Sequence, residues 1–177
     1  MTVAAPSKMT LEEFLADPNV DRRAEYLFGE VYEPKAESFW HSFQSTFLVE
    51  ALSRVFGANR AIREFDLPLP RHRPRPDVLV LREPLAAYRS RGGFQASDVL
   101  IVIEVCLSTP DRDYQIKDAI YAEASVPEYW IVDLVAKTVE RRTEPTPLGY
   151  SKREVFFRGA EILGISVNDI LGLSHAA

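Results

Sequence analysis

The sequence predicts an α/β fold, α+β-like in its element order, with one mixed central sheet flanked by helices. Three observations lead to this prediction. Val99 to Val105 is almost continuously apolar, which is typical of a central strand covered on both faces. Ser38 to Phe56 carries apolar residues at helical spacing. Strand and helix signals then continue to the end of the chain without an internal repeat, so one layered sheet accounts for them.

The first elements are a short helix and a strand. Thr10 and Glu13 have the spacing of a capping box, which predicts a helix that ends before Pro18. Glu25 to Glu33 then alternates well enough for a strand, and Gly29 allows a tight bend or a bulge within it.

The long helix follows at Ser38 to Phe56, and two strands follow the helix at Ala61 to Leu67 and at Asp77 to Leu81. Helical spacing of the apolar residues predicts one buried stripe. Its members are Phe39, Phe43, Phe47, Leu48, Leu52 and Val55.

Beyond the central strand we expect a helix, a strand, a C-terminal β-hairpin and a last short helix. Ser108 or Thr109 is placed to cap the first of these, and Pro110 suits its first turn. The predicted ranges are a helix at Asp111 to Ala124, a strand at Tyr129 to Leu134, hairpin strands at Thr138 to Arg142 and Tyr150 to Phe157, and a helix at Val167 to Leu171.

Length and composition indicate one ordinary globular domain. The chain has 177 residues, of which 46% are hydrophobic and 27% are charged. We therefore expect a single domain over 1–177, with its core at about 10–165. The single cysteine, Cys106, cannot form an intrachain disulfide, and the three histidines do not have a zinc-binding spacing.

We expect a cytoplasmic protein that does not enter a membrane. No apolar stretch approaches the roughly 18 residues of a membrane span, and the first residues lack the features of a signal peptide. The net charge of −5 argues against indiscriminate binding to a polyanion, although carboxylates that hold a metal would contribute to that charge.

Three charged residues stand where predicted strands and a helix meet. Asp77 follows Pro76 at the head of an apolar strand, Glu104 lies within the buried central strand, and Lys117 lies on the next helix. Carboxylates on neighbouring strands can share a divalent cation, and a nearby lysine can orient a water or offset phosphate charge. The set predicts a metal-dependent phosphodiesterase site.

Each of the three also has a structural alternative. Glu104 would be costly to bury without a cation or a proton, but it could lie at an exposed strand end or in a core salt bridge. Asp77 could be an ordinary turn residue after proline. Lys117 could face solvent, as most helix lysines do.

A group of arginines allows two interpretations. They could line an approach for a phosphate backbone, or they could form a solvated surface. The members of the group are Arg60, Arg63, Arg71, Arg73 and Arg75.

Five motifs in order carry a family resemblance over about positions 10 to 165. They are Glu25-x-x-x-Gly29-Glu30, Arg75-Pro76-Asp77-Val78, Val102-Ile103-Glu104-Val105-x-x-Ser108-Thr109, Lys117 followed by Tyr121-Ala122, and Val126-Pro127-Glu128-Tyr129-Trp130-Ile131-Val132-Asp133. The chain resembles the bacterial Uma-domain family of restriction endonucleases, within the PD-(D/E)XK nuclease superfamily. The resemblance implies a restriction-endonuclease-like fold.

The resemblance also implies roles for single residues. Glu30 matches an acidic position that completes the metal cluster, while Glu25 matches the same motif and either points to the site or caps a helix. His41 matches a histidine that contacts a phosphate or a metal-bound water, with a polar first-turn residue as the alternative. Cys106 occupies the superfamily's usual lysine position, and the resemblance implies that Lys117 replaces that lysine from the following helix.

Together these residues and the family resemblance predict a Mg²⁺-dependent or Mn²⁺-dependent endonuclease that acts on nucleic acid. DNA is the expected substrate. The expected metal ligands are Asp77, Glu104, Glu30 and the carbonyl of Val105. Lys117 would position the attacking water or stabilise charge. A homodimer would suit the cutting of two strands.

Two alternatives stay open. A catalytically silent module with a nuclease fold would bind a protein or a nucleic acid, and the acidic charge and the missing strand lysine favour it. Hydrolysis of a small phosphodiester would use the same site on another substrate.

Overall fold

The computed structural model of the protein describes residues 7–34, 39–107 and 116–173. The predicted helix cap at Ser108, Thr109 and Pro110 lies outside the described residues. So does the part of the predicted helix from Asp111 to residue 115, so only its C-terminal part can be compared with the prediction.

A six-stranded mixed sheet forms the centre of the fold, which confirms the predicted class. Its strands follow in sequence order: β4 (Ala61–Arg63), β5 (Val78–Leu81), β6 (Val99–Cys106), β7 (Glu128–Asp133), β8 (Thr138–Thr146) and β9 (Gly149–Phe156). Strands β6 and β7 are parallel and the other neighbours are antiparallel. The predicted C-terminal hairpin is the β8–β9 pair at one edge of this sheet.

Helices cover both faces of the sheet. Helix α2 (Phe39–Phe56) packs on one face, where Leu48 and Leu52 join the core that includes Ile101 and Ile103. Helix α3 (Asp118–Glu123) packs on the other face with Val102 and Tyr129. Because β6 is buried against both layers, its apolar residues need not alternate with polar ones.

Three N-terminal strands form a small sheet of their own, in the order β1 (Ser7–Lys8), β3 (Glu30–Tyr32), β2 (Glu25–Leu27). The strand predicted over Glu25 to Glu33 is thus two strands, and the tight bend expected at Gly29 is the turn between them. Phe28 and Gly29 both have positive φ, of 51° and 81°, as a two-residue turn of type I′ requires. The turn lets β2 and β3 pair antiparallel, with Leu27 opposite Glu30.

Helix α1 (Leu11–Ala16) begins with the predicted capping box. The hydroxyl of Thr10 accepts a hydrogen bond from the backbone N–H of Glu13 at 3.2 Å, and the Glu13 carboxylate accepts one from the N–H of Thr10 at 2.7 Å. Both N–H groups would otherwise lack a helical partner.

The buried stripe predicted for α2 is largely wrong. Phe39 is 73% exposed and Val55 is 47% exposed, whereas Gln44 and Ser45 are buried together with Leu48. The two polar residues can be buried because both are hydrogen-bonded. Ser45 donates to the carbonyl of His41 at 3.0 Å, and Gln44 donates to the carbonyl of Ile170. The aromatic residues have helical spacing, but they lie on a neighbouring face.

The remaining elements are short. They are 3₁₀ segments at Leu85–Arg91 and Ala96–Asp98, the strand pair β10 (Glu161–Ile162) and β11 (Ile165–Ser166), and helix α4 (Val167–Ile170). Helix α4 confirms the last predicted helix, which ends one residue earlier than expected. Within the three described ranges, no helix has the length and apolar character needed to cross a membrane.

Candidate active site

The register of β5 and β6 brings Asp77 to the central strand. Val78 pairs with Ile103, so the next position places Asp77 across from Glu104. Asp77 Oδ2 accepts a hydrogen bond from the backbone N–H of Val105 at 2.6 Å. The carboxylate of Asp77 is therefore held against β6 beside Glu104, which lies within that strand.

His41 approaches the same carboxylate from α2. Its Nε2 atom lies 3.1 Å from Asp77 Oδ2, and both side chains are partly buried. His41 thus contacts Asp77 directly, and its role toward a phosphate or a metal-bound water stays a prediction. The backbone N–H of Val105 on β6 and the imidazole of His41 on α2 therefore both contact Asp77 Oδ2.

Lys117 lies between two buried glutamates. Its Nζ atom is 2.7 Å from Glu104 Oε1 and 2.9 Å from Glu25 Oε1, and its side chain is only 2% exposed. The alternative of a solvent-facing lysine is therefore excluded. Buried charges require opposite charges nearby, and this arrangement supplies two carboxylates for one ammonium group.

Tyr121 completes the surroundings of Glu104. Its hydroxyl donates to Glu104 Oε1 at 2.7 Å, and the side chain is fully buried. Burial, followed by the charges of Glu104 and Glu25, raises the pKa of Tyr121 well above its usual range, so the phenol stays protonated and donates. Tyr121 is not among the site residues predicted from the sequence. Its spacing of four from Lys117, which puts both on one helix face, is the signal that could have found it.

The structure separates the two glutamates of the first motif. Glu25 is buried and accepts hydrogen bonds from Lys117 and from the backbone N–H of Arg75 at 2.8 Å. Glu30 accepts a hydrogen bond from the hydroxyl of Tyr32 at 2.9 Å. The described contacts thus join Glu25 to the cluster, in line with the alternative in which it points to the site. A ligand role for Glu30 stays a prediction.

The cluster fits a magnesium ion in one respect. Mg²⁺ prefers oxygen ligands, and proteins commonly hold it through one or two carboxylates, with waters and substrate phosphates supplying the rest. Asp77 and Glu104 provide such a pair of carboxylates. Within the described part of the chain, no group of three or more His, Cys, Asp or Glu side chains is arranged to hold a metal by itself. A site of this kind would depend on water and substrate for its remaining ligands.

Four of the five arginines considered for phosphate binding have partners within the chain. Arg60 donates to the carbonyl of Leu81, and Arg63 and Arg71 pair with Glu64 and Glu123. Arg75 pairs with Asp66 at 2.8 Å. These contacts favour the interpretation of a solvated arginine surface over a ready phosphate track.

Two of the remaining predictions concern core residues. Cys106 is buried beside α3, as expected for a small core residue. Trp130 and Tyr129 are fully buried, so neither can stack on a nucleic-acid base.

Comparisons with known proteins agree with this fold. A solved structure from Anabaena variabilis, described as "a putative nuclease belonging to DUF820", superposes with a TM-score of 0.71 over 93% of this chain and 98% of that chain. The two sequences are 20% identical, so this likeness concerns the fold. A comparison with curated proteins gave no match. The model of the Uma2 family, whose description reads "Putative restriction endonuclease", matches residues 11–170, and the chain therefore belongs to the Uma2 family.

Proposed function

We propose that the protein is a metal-dependent endonuclease that hydrolyses phosphodiester bonds in nucleic acid, with DNA as its substrate. The observation that carries the proposal is the burial of Lys117 between Glu104 and Glu25, with Asp77 across from Glu104 in the strand register. Taking several charges out of water is costly, and apolar residues could fill the same space at least as well. A buried charge cluster at the end of a strand pair is therefore better explained by chemistry than by stability.

Asp77 and Glu104 are the residues that would hold Mg²⁺ or Mn²⁺. When bound, the ion would lower the pKa of a water molecule and offset charge on the phosphate. The carbonyl of Val105 and the carboxylate of Glu30 are further candidate ligands from the sequence analysis, and Glu25 competes with Glu30 for the acidic role.

The protein groups around the two carboxylates fix their orientation. Val105 and His41 hold Asp77 through Oδ2, so the direction of Oδ1 is set. Lys117 and Tyr121 hold Glu104 through Oε1 in the same way. Ligands held by neighbouring hydrogen bonds need little rearrangement when they act. Lys117 is also the donor that would steady the attacking water or a phosphate oxygen.

A silent binding module is the second candidate function. The net charge of −5, the presence of Cys106 at the usual lysine position, and the pairing of the arginines within the chain favour it. The two functions differ in one property, because a silent module has no reason to bind a divalent cation through Asp77 and Glu104. Calorimetric titration of Mn²⁺ into the wild type and into Asp77→Asn separates them.

The substrate class is tested with purified protein and a panel of substrates. Supercoiled plasmid, linear duplex, single-stranded DNA, RNA and a small chromogenic phosphodiester are incubated with Mg²⁺ or Mn²⁺, with EDTA and Asp77→Ala as controls. We expect cleavage of duplex DNA that disappears in both controls. Cleavage that survives Asp77→Ala would overturn the assignment. A proposed homodimer, which would present two sites to two strands, is tested by the mass of the protein in solution.

A further inference from the structure

A second buried ion pair lies directly behind Lys117. Asp118, the next residue, is buried, and its Oδ1 atom accepts a hydrogen bond from Arg142 of β8 at 2.7 Å. Arg142 is only 1% exposed and also donates through Nε to Glu140 at 2.7 Å. Burial acts to lower the pKa of Arg142, but the hydrogen bonds to Glu140 and Asp118 outweigh burial and raise it. Arg142 thus stays charged in the interior.

The backbone of β9 is shaped to admit this pair. Gly149 has φ of +123°, and a Cβ atom at that position would lie 2.4 Å from Asp118 Oδ2. A side chain there would force the carboxylate of Asp118 to shift, and the positive φ would strain the substituted residue. Glycine therefore allows the start of α3 to approach the hairpin closely enough for Asp118 to meet Arg142.

Neighbouring residues of α3 connect the pair to the candidate site. Successive residues on a helix point about 100° apart, so Lys117 and Asp118 leave the start of α3 in different directions. Lys117 reaches Glu104 on β6 and Glu25 on β2, while Asp118 reaches Arg142 on β8. Helix α3 is only six residues long. Contacts of Asp118 at its start therefore strongly influence the position of Lys117, the preceding residue.

A second route joins Arg142 to Glu104. The Arg142 guanidinium lies over the ring of Tyr129, with 5.5 Å from Cζ to the ring centroid. The rings of Tyr129 and Tyr121 meet edge to face at 5.1 Å, and Tyr121 donates to Glu104. Arg142 therefore supports both partners of the buried ion pair at the site, one through Asp118 and one through the two tyrosines.

We propose that Arg142 is a positioning residue, which anchors the start of α3 through Asp118 and thereby holds Lys117 Nζ between Glu104 and Glu25. Its effect on cleavage rests on the proposed nuclease function, but the placement of Lys117 does not. A buried ion pair adds little net stability compared with apolar residues of the same size, so a fixed geometry is the contribution that sets it apart.

The placement of Lys117 can be measured without any cleavage assay. Acetic anhydride acetylates accessible amines, and peptide mass spectrometry gives the rate at Lys117 relative to Lys152, which is 51% exposed. Cys106, buried in β6, serves as a second reporter, because its reaction with a maleimide requires the sheet to open. Variants Arg142→Gln and Asp118→Asn each break the ion pair between Arg142 and Asp118, while Arg153, 3.6 Å from Asp118 Oδ2, stays unchanged.

A matched control is available on the same strand. Arg141 also pairs with a carboxylate, Glu128, at 2.7 Å, but the contact runs to β7 and not to α3. Arg141→Gln therefore loses a neighbouring arginine–carboxylate pair of the same length that is partly exposed, with Arg141 23% exposed. Arg142→Lys keeps the charge and tests for partial rescue.

We expect the acetylation rate of Lys117 to rise about tenfold or more in Arg142→Gln and Asp118→Asn. Without the ion pair, the start of α3 opens more often and exposes the Lys117 amine. The reaction of Cys106 should rise by a much smaller factor than the acetylation of Lys117, Arg141→Gln should match the wild type, and Arg142→Lys should lie between. Unchanged reactivity of Lys117 would overturn the proposal. An equal rise in the reaction of Cys106 would also overturn the proposal, since it would show general destabilisation. If Arg142→Gln does not fold, the acetylation rates of Lys117 in Asp118→Asn and Arg142→Lys test the proposal.

The cleavage assay then adds a second readout. If the wild type cleaves DNA, Arg142→Gln should lower kcat by about 10²-fold with KM nearly unchanged, as expected when a catalytic group is displaced. A lower kcat in Arg141→Gln by the same factor would contradict this. If the wild type cleaves nothing, the nuclease function fails while the anchoring of Lys117 is still decided by acetylation.

Discussion

Lys117 and Tyr121 lie one helical turn apart and donate to the same atom, Oε1 of Glu104, each at 2.7 Å. One donor is a cation and the other is a neutral phenol, so Glu104 is held as a carboxylate deep in the protein. The pair explains how an acidic residue can occupy a strand that is otherwise apolar.

Replacing Tyr121 by phenylalanine removes one of the two donors. We expect the free energy of unfolding to fall by about 1.5–3 kcal/mol, since the hydrogen bond is made to a charged group. Cleavage should also slow, because Glu104 loses part of its orientation. Tyr150→Phe is the matched control. Its buried hydroxyl donates to the carbonyl of Val126 at 2.8 Å, away from Glu104. Urea unfolding and plasmid cleavage measure the two effects, and equal cleavage by both variants would show that Tyr121 matters only for stability.

Replacing Lys117 by methionine leaves Glu104 and Glu25 buried without their shared cation. We expect a loss of about 3–5 kcal/mol in unfolding free energy, as for other broken buried pairs. In the proposed nuclease, chemistry should slow more than binding weakens. Lys152→Met, at an exposed lysine paired with Glu154, should change stability by less than about 0.5 kcal/mol. A similarly small change in Lys117→Met would contradict the buried geometry.

Two glutamine variants, Glu25→Gln and Glu30→Gln, can show which of the two glutamates acts at the site. Glu25→Gln weakens the contact with Lys117, whereas Glu30→Gln alters a contact with Tyr32. We expect Glu25→Gln to reduce the rate of cleavage at saturating Mg²⁺ more than Glu30→Gln does. A larger loss of cleavage rate in Glu30→Gln, together with weaker Mn²⁺ binding in that variant, would instead show that Glu30 is a metal ligand.

The central strand was predictable from sequence for a local reason. An uninterrupted apolar run marks a strand covered on both faces, and Glu104 interrupts it at one position. Asp77, placed after proline at the head of the preceding strand, then falls beside Glu104 through simple antiparallel pairing. The apolar run is recognised without contacts between distant parts of the chain, whereas the approach of Asp77 to Glu104 depends on the pairing of β5 with β6.

Other features depend on such contacts and could not be predicted. The buried face of α2 includes Gln44, which becomes acceptable only because the carbonyl of Ile170 lies next to it. Arg142 reads in sequence as one of several charges on a hairpin strand, and only the packing of α3 on the hairpin shows that it is buried. The spacing of Lys117 and Tyr121 was visible, but not their common partner.

Stability should depend on pH through His72. Its Nδ1 atom accepts a hydrogen bond from the backbone N–H of Phe28 at 3.2 Å, which requires the neutral ring. Burial lowers the pKa of His72; Glu123 acts in the opposite direction, and Arg71 lowers the pKa further. The unfolded chain therefore binds this proton more readily. The stability that His72 contributes is complete above the unfolded pKa of about 6.5 and declines as pH falls through the lowered folded value.

His72→Asn tests this dependence, because the amide oxygen can accept the same hydrogen bond without titrating. We expect urea unfolding between about pH 8 and pH 5 to show a smaller loss of stability in the variant than in the wild type. Parallel curves for the two proteins would assign the pH dependence to other groups.

The most direct test of the candidate site is the rate of Mg²⁺-dependent cleavage of supercoiled plasmid by the wild type, by Asp77→Asn and by Asp66→Asn. Asp66 is an exposed aspartate paired with Arg75, so its variant controls for the loss of one negative charge nearby. We expect cleavage by the wild type and by Asp66→Asn, and a loss of at least about 10²-fold in Asp77→Asn with the fold preserved. Equal cleavage by all three proteins would contradict a metal-dependent site at Asp77 and Glu104.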